Sequence, residues 1–112
     1  MPLFLPLVLL LQPVSPPALP PLPSARQCAA LFAMTYDTLR QKSGDPAMTA
    51  GFGEDAAALR RIVIDQEAGG DAAKADGAIA AERSRLVEAG TAIETIDLKP
   101  CYRVKALGRG GE

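Results

Sequence analysis

The sequence predicts an all-α domain, a small antiparallel bundle of three main helices plus a short fourth helical segment, behind an N-terminal signal/proline-rich segment. Three observations carry this prediction. Apolar residues recur at helical spacing from Cys28 onward. Glycine pairs and proline punctuate that pattern at short intervals, which favours antiparallel neighbours. The first charged residue is Arg26, so all 12 basic and 13 acidic side chains follow residue 25.

Residues 3–11, Leu-Phe-Leu-Pro-Leu-Val-Leu-Leu-Leu, form a short uncharged apolar run. Its length suits the apolar part of a signal peptide and falls short of the roughly 20 residues that span a bilayer. The usual Lys or Arg ahead of such a run is missing. Prolines 13, 16, 17, 20, 21 and 23 follow, and their fixed φ keeps the segment extended. Small residues at Ser24 and Ala25 end the run, so residues 1–25 read as a signal peptide with a proline-rich end, cut after Ala25. The expected boundaries are then 26–107 for a helical domain and 108–112 for a disordered tail. A retained apolar segment acting as a membrane anchor on a proline spacer is the alternative.

The first helix follows. Cys28, Leu31, Phe32, Thr35, Tyr36 and Leu39 lie at i, i+3, i+4, i+7, i+8 and i+11, on one helical face. Ser24 with Gln27 makes a capping-box pattern. Arg40 and Lys42 suit the negative end of the helix dipole, and Gly44 is the expected left-handed stop.

Asp45-Pro46 opens a short turn to about Met48 or Thr49, and Gly51-Phe52-Gly53 reads either as a bend that turns Phe52 inward or as the first turn of a longer helix that tolerates both glycines. A second helix is expected from Glu54 to Ala68. Its stripe is Ala56, Leu59, Ile62 and Val63, with Glu54 and Asp55 in the first turn and Gly69-Gly70 as the stop. Asp71 caps a third helix over 72–89, ended by Gly90, with Ala72, Ala75, Ile79, Leu86 and Val87 facing inward. Thr91 and Glu94 suggest a capping box for one or two further turns. Pro100 then stops them, leaving Cys101 to Val104 extended along the bundle.

The two cysteines are the most informative chemical feature. An even, small number behind an export segment points to an oxidising compartment and to a disulfide between Cys28 and Cys101. A mature part of about 85–90 residues has a marginal core, which makes such a staple useful. No CxxC motif is present, so a redox-active pair is disfavoured.

Other chemistry is thinly represented. Histidine is absent, which removes the usual general base, any Ser-His-Asp arrangement and the commonest metal ligand. Asp65 and Glu67 are two apart and do not face each other on a helix. Arg60-Arg61 and Arg83-x-Arg85 read as exposed helix charges. Gly51-x-Gly53 ahead of Glu54 lacks the strand, the third glycine and the Lys of a phosphate loop. A net charge of −1 gives no footprint for nucleic acid.

No catalytic, cofactor or metal residue is therefore assigned, and no enzyme activity or cofactor is expected. The expectation is a small exported protein, periplasmic or secreted, that acts as a non-enzymatic interaction or chaperone-like module. Its partner would be a protein of the cell envelope, with no nucleic acid and no stable membrane span. The alternative is a small-ligand carrier or minor enzyme with a pocket between helices. Polar residues converging beside Tyr36 and Phe52 would favour that alternative.

Overall fold

A computed structural model describes residues 21–111; the apolar run and most of the proline segment lie outside the described residues. The described residues are helical with no strand. Helix α1 spans Ala25–Gln41, α2 Pro46–Gln66, α3 Ala72–Glu88 and α4 Lys99–Leu107, with a 3₁₀ turn at Ile93–Thr95 before α4. Three main helices pack as a small bundle, as the sequence predicts. Helix α1 lies at its centre and touches α2, α3, α4 and the 3₁₀ turn.

The start of α1 is fixed as expected. The Ser24 side chain accepts from the Gln27 N–H at 3.2 Å, and the Gln27 side chain accepts from the Ser24 N–H at 3.1 Å. Ala25, Cys28, Ala29, Ala30 and Phe32 are buried along it. Alanine on several sides lets three helices approach one axis, which explains why α1 is central.

The end of α1 departs from expectation. Gly44 donates to the Leu39 carbonyl at 2.8 Å and Ser43 to that of Arg40 at 3.3 Å, a Schellman arrangement. The left-handed residue is Ser43, at φ 54°, rather than Gly44. Gly44 is needed for space instead, because a Cβ there would meet the Leu39 side chain at 3.0 Å.

Helix α2 begins at Pro46 and runs through both glycines, so no bend forms at 51–53. Asp45 caps it, accepting from the Met48 N–H at 2.9 Å. Pro46 loses no hydrogen bond at a helix start. Glycine at 53 follows from packing, since a Cβ there would lie 3.0 Å from Tyr36 Cε2 on α1. Glu54 and Asp55 are consequently mid-helix. Leu59 and Val63 are fully buried, with Phe52, Ala56 and Ile62 packed beside them, so the predicted stripe holds.

Helix α3 starts at its Asp71 cap and ends before left-handed Gly90, as expected. Its inner face differs. Ala75 and Ile79 are buried, but Val87 is 67 % exposed and Ala72 is also exposed. Glu82 takes the buried position, at 5 % exposure.

The C-terminal segment reverses one expectation. Pro100 sits in the first turn of α4 and starts a helix rather than stopping one. Cys101 and Val104 are therefore on a helical face, not an extended strand, and both are buried. Thr91 and Glu94 form no capping box; the turn begins at Ile93 with no side-chain cap. Glu94 instead accepts from Lys42 Nζ at 3.2 Å. The end of the chain, expected as a disordered tail, is described to Gly111, whose N–H donates to the Pro23 carbonyl at 2.9 Å.

Cys28 and Cys101 are bonded, with Cα atoms 5.3 Å apart across 73 residues of sequence. They sit in a core whose largest fully buried side chains are Phe32, Leu59, Val63, Val104 and the two cysteines. Phe32 is its hub, with Phe52 at 5.5 Å between centroids and the edge of Tyr102 at 5.2 Å.

Candidate functional site

Two arrangements bring polar chemistry together. The first is a groove between α2 and α3, floored by α1, with a volume of about 760 Å³. Its small lining residues are Ala29 and Ala33 from α1, Ala50, Gly53, Ala56 and Ala57 from α2, and Ala80 from α3. Tyr36 and Ile79 are its only large uncharged side chains. The groove exists because small residues leave the space between the helices unfilled. A volume of this size lies within the range of ligand clefts, roughly 300–1,000 Å³.

Charged side chains frame it. Arg60 on α2 grips Asp76 on α3 in a two-pronged bond, Nε to Oδ1 at 2.7 Å and Nη2 to Oδ2 at 3.1 Å. That bond holds the Asp76 carboxyl below its ordinary range and the Arg60 guanidinium above its own. Arg83 on α3 donates to Asp37 on α1 at 2.8 Å. Glu54 lines the same groove. Arg40 lies 5.4 Å from the Tyr36 ring centroid, a cation–π contact.

The second arrangement is a charge cluster where α1, α2 and α3 meet. Glu82 Oε1 accepts from Arg26 Nε at 3.1 Å and from Arg85 Nη1 at 2.6 Å. Arg26 Nη1 also donates to Glu67 Oε1 at 2.8 Å, and its backbone N–H donates to Glu67 Oε2 at 3.2 Å. Glu82 Oε1 and both Glu67 oxygens are answered by protein. Among the described residues no buried side-chain nitrogen or oxygen lacks a partner. The cluster fastens the three helices together.

The sequence-derived candidates can now be placed. Cys28 and Cys101 are joined in the core and expose no sulfur chemistry. Arg60, Arg83 and Arg85 are not free face charges; each reaches a carboxylate, the first two on another helix. Asp65 and Glu67 diverge, with Glu67 turned to Arg26 and Asp65 exposed. Gly51 and Gly53 lie inside α2, which removes the loop that a phosphate would need. Among the described residues, no three His, Cys, Asp or Glu side chains converge as a metal site. Also among them, no helix is long and apolar enough to cross a membrane.

Sequence reasoning missed Glu82 and, beyond offering a pocket between helices beside Tyr36 as an alternative, the place and lining of the groove. The signal for Glu82 was its place in the i, i+4, i+7, i+11 series Ala75, Ile79, Glu82 and Leu86. The signal for the groove was alanine and glycine on facing positions of all three helices. Comparison of the chain with protein-family models, with curated proteins and with solved structures gives no match.

Proposed function

We propose that this domain is a non-enzymatic binding module that works outside the cytoplasm and holds an apolar polypeptide segment in the α2–α3 groove. The observation that carries the reading is the lining. Alanine and glycine on three helices form a trough into which large aliphatic side chains of another chain can insert. Four of the framing charges are matched to each other, Arg60 with Asp76 and Arg83 with Asp37, so those four make few demands on what enters. The absence of histidine and of convergent unpaired carboxylates supports a binding role over a catalytic one. The Cys28–Cys101 bond supports an oxidising location, periplasmic or secreted.

The test is suppression of aggregation. An unfolded model client would be followed by light scattering with the native protein and with Ala80→Trp, which fills the trough. The expected result is suppression by the native protein and its loss in the variant at unchanged melting temperature. Equal suppression by both removes the groove from the mechanism, and no suppression by either removes the chaperone-like reading.

One observation favours a second reading, a carrier of a small amphiphilic ligand. Asp37, Glu54 and Arg83 share the groove lining with Tyr36, while Phe52 packs on Phe32 in the core instead. Saturable stabilisation of the native protein by a single-chain cationic amphiphile, abolished in Tyr36→Ala, would select this reading over the first.

A further inference from the structure

Composition alone places the end of the leader after Ala25, and the fold shows what a cut there would take away. Leu22 packs against the hydrophobic core. Ser24 is 7 % exposed and makes both bonds of the α1 capping box, while its carbonyl accepts from the Cys28 N–H at 3.1 Å. Ala25 is 2 % exposed. Ser24 and Ala25 are thus interior parts of the domain, and Leu22 is half-buried against it.

They are also fastened from outside by the other end of the chain. The Gly111 N–H donates to the Pro23 carbonyl at 2.9 Å. Gly110 runs so close to the Ser24–Ala25 backbone, and Gly111 so close to Leu22, that a Cβ on either would collide with main chain. Glycine at 110 and 111 is thus the residue this contact demands. Arg109 donates to the Val104 carbonyl at 3.3 Å, and the Gln66 side chain donates to the Gly108 carbonyl, which brings the tail off α4 toward α1.

We infer that Leu22–Ala25 and Arg109–Gly111 form a clasp that sets the amino boundary of the working domain. Proteolytic removal of the apolar N-terminal segment that leaves a stable protein hydrolyses a bond on the amino side of Leu22. Water adds across that peptide bond in the proline-rich stretch, giving a new carboxyl end on the leader and a new amine on the domain. Hydrolysis of the Ala25–Arg26 bond would instead strip the helix cap, empty the Leu22 site and free the C-terminal tail.

Limited digestion of the purified full chain with a protease of broad specificity, read by intact mass, tests this. The expected resistant core starts at or before Leu22 and ends at or after Gly111. A core that starts at Arg26 or beyond overturns the boundary. A core that keeps residues 22–25 but loses 109–111 overturns the clasp. In Gly110→Ala the cut within residues 22–26 should come about tenfold faster, which corresponds to ~1.4 kcal/mol of easier opening. An unchanged rate overturns the contact. Amide exchange at Gly111 in the unmodified chain gives the same answer without a variant: protection supports the clasp, and exchange at the free-peptide rate refutes it.

Discussion

Helix ends show single residues deciding local geometry. Besides α2, which runs on into left-handed Gly69 and Gly70, three helix ends close with a left-handed residue, at Ser43, Gly90 and Gly108. Two of them use glycine, which adopts that conformation without steric cost. Ser43 bears a Cβ in the same place, at φ 54°. The left-handed conformation costs a non-glycine residue about 1–2 kcal/mol. Ser43→Gly should therefore stabilise the fold by roughly 0.5–1 kcal/mol, after glycine's greater freedom in the unfolded chain is subtracted. Urea denaturation at constant m-value measures it, and a loss of stability would contradict the Schellman geometry.

Among elements, α3 depends on a glutamate for its seat. Glu82 is buried and receives arginines from α1 and from its own helix. Both arginines donate to the same oxygen, Oε1, so an amide can keep the two contacts and loses the negative charge that strengthens them. Glu82→Gln should cost no more than about 1.5–3 kcal/mol, the range for hydrogen bonds to charged groups. Glu82→Leu fills the same space without a charge and should cost less once Arg26 and Arg85 turn to solvent, so the pair of variants separates electrostatics from packing.

The same residue shows where reading the sequence works and where it stops. The α1 start was legible because Ser24 and Gln27 form a local motif, and the α2 stripe because Leu59 and Val63 are large and apolar. Glu82 was not legible, since a polar side chain at a buried register looks like a break in the stripe, and Val87 one turn later looks like its continuation. Gly51 and Gly53 read as a bend or as a tolerated pair because the reason for helix there, the Tyr36 ring against Gly53, lies on another helix. Pro100 read as a stop because nothing local distinguishes a proline that ends one turn from one that starts the next helix. The groove was illegible for a related reason. Alanine is ambiguous, and only the assembled bundle tells a filled contact from an open one.

For the whole molecule, stability rests on few large side chains. Phe32, Leu59, Val63 and Val104 are the large aliphatic and aromatic residues fully removed from water. Each contributes about 1.5–3 kcal/mol. Against that small core, the bond between Cys28 and Cys101 closes a loop of 73 residues. In the loop-entropy model such a closure stabilises by about 4 kcal/mol, comparable to the whole net stability of a small domain. Cys101→Ser should lower the melting temperature sharply and broaden the transition, whereas melting unchanged from the oxidised native protein would show that the bond contributes little.

Acid should act at the α2–α3 edge. The hydrogen bond from Arg60 holds the Asp76 pKa below its unfolded value, so the stabilisation is present above the ordinary carboxylate range and lost as pH falls through the lower folded value. Melting temperature followed from pH 6 down to about 2 should fall for the native protein and fall less for Asp76→Asn. A parallel decline in both would show that Asp76 does not couple the two helices.

The placement of the aromatic rings equips the protein with its own optical label. The chain has no tryptophan and two tyrosines. Tyr36 forms part of the groove, under Arg40, and Tyr102 stands edge-on to Phe32 at the α4 contact. Ultraviolet emission from this chain therefore comes from one ring at the proposed binding surface and one at the helix that carries Cys101. In Tyr102→Phe, the remaining signal belongs to the groove alone. Its quenching or enhancement would report occupancy in real time, without a dye, a tag or any alteration of the surface being measured.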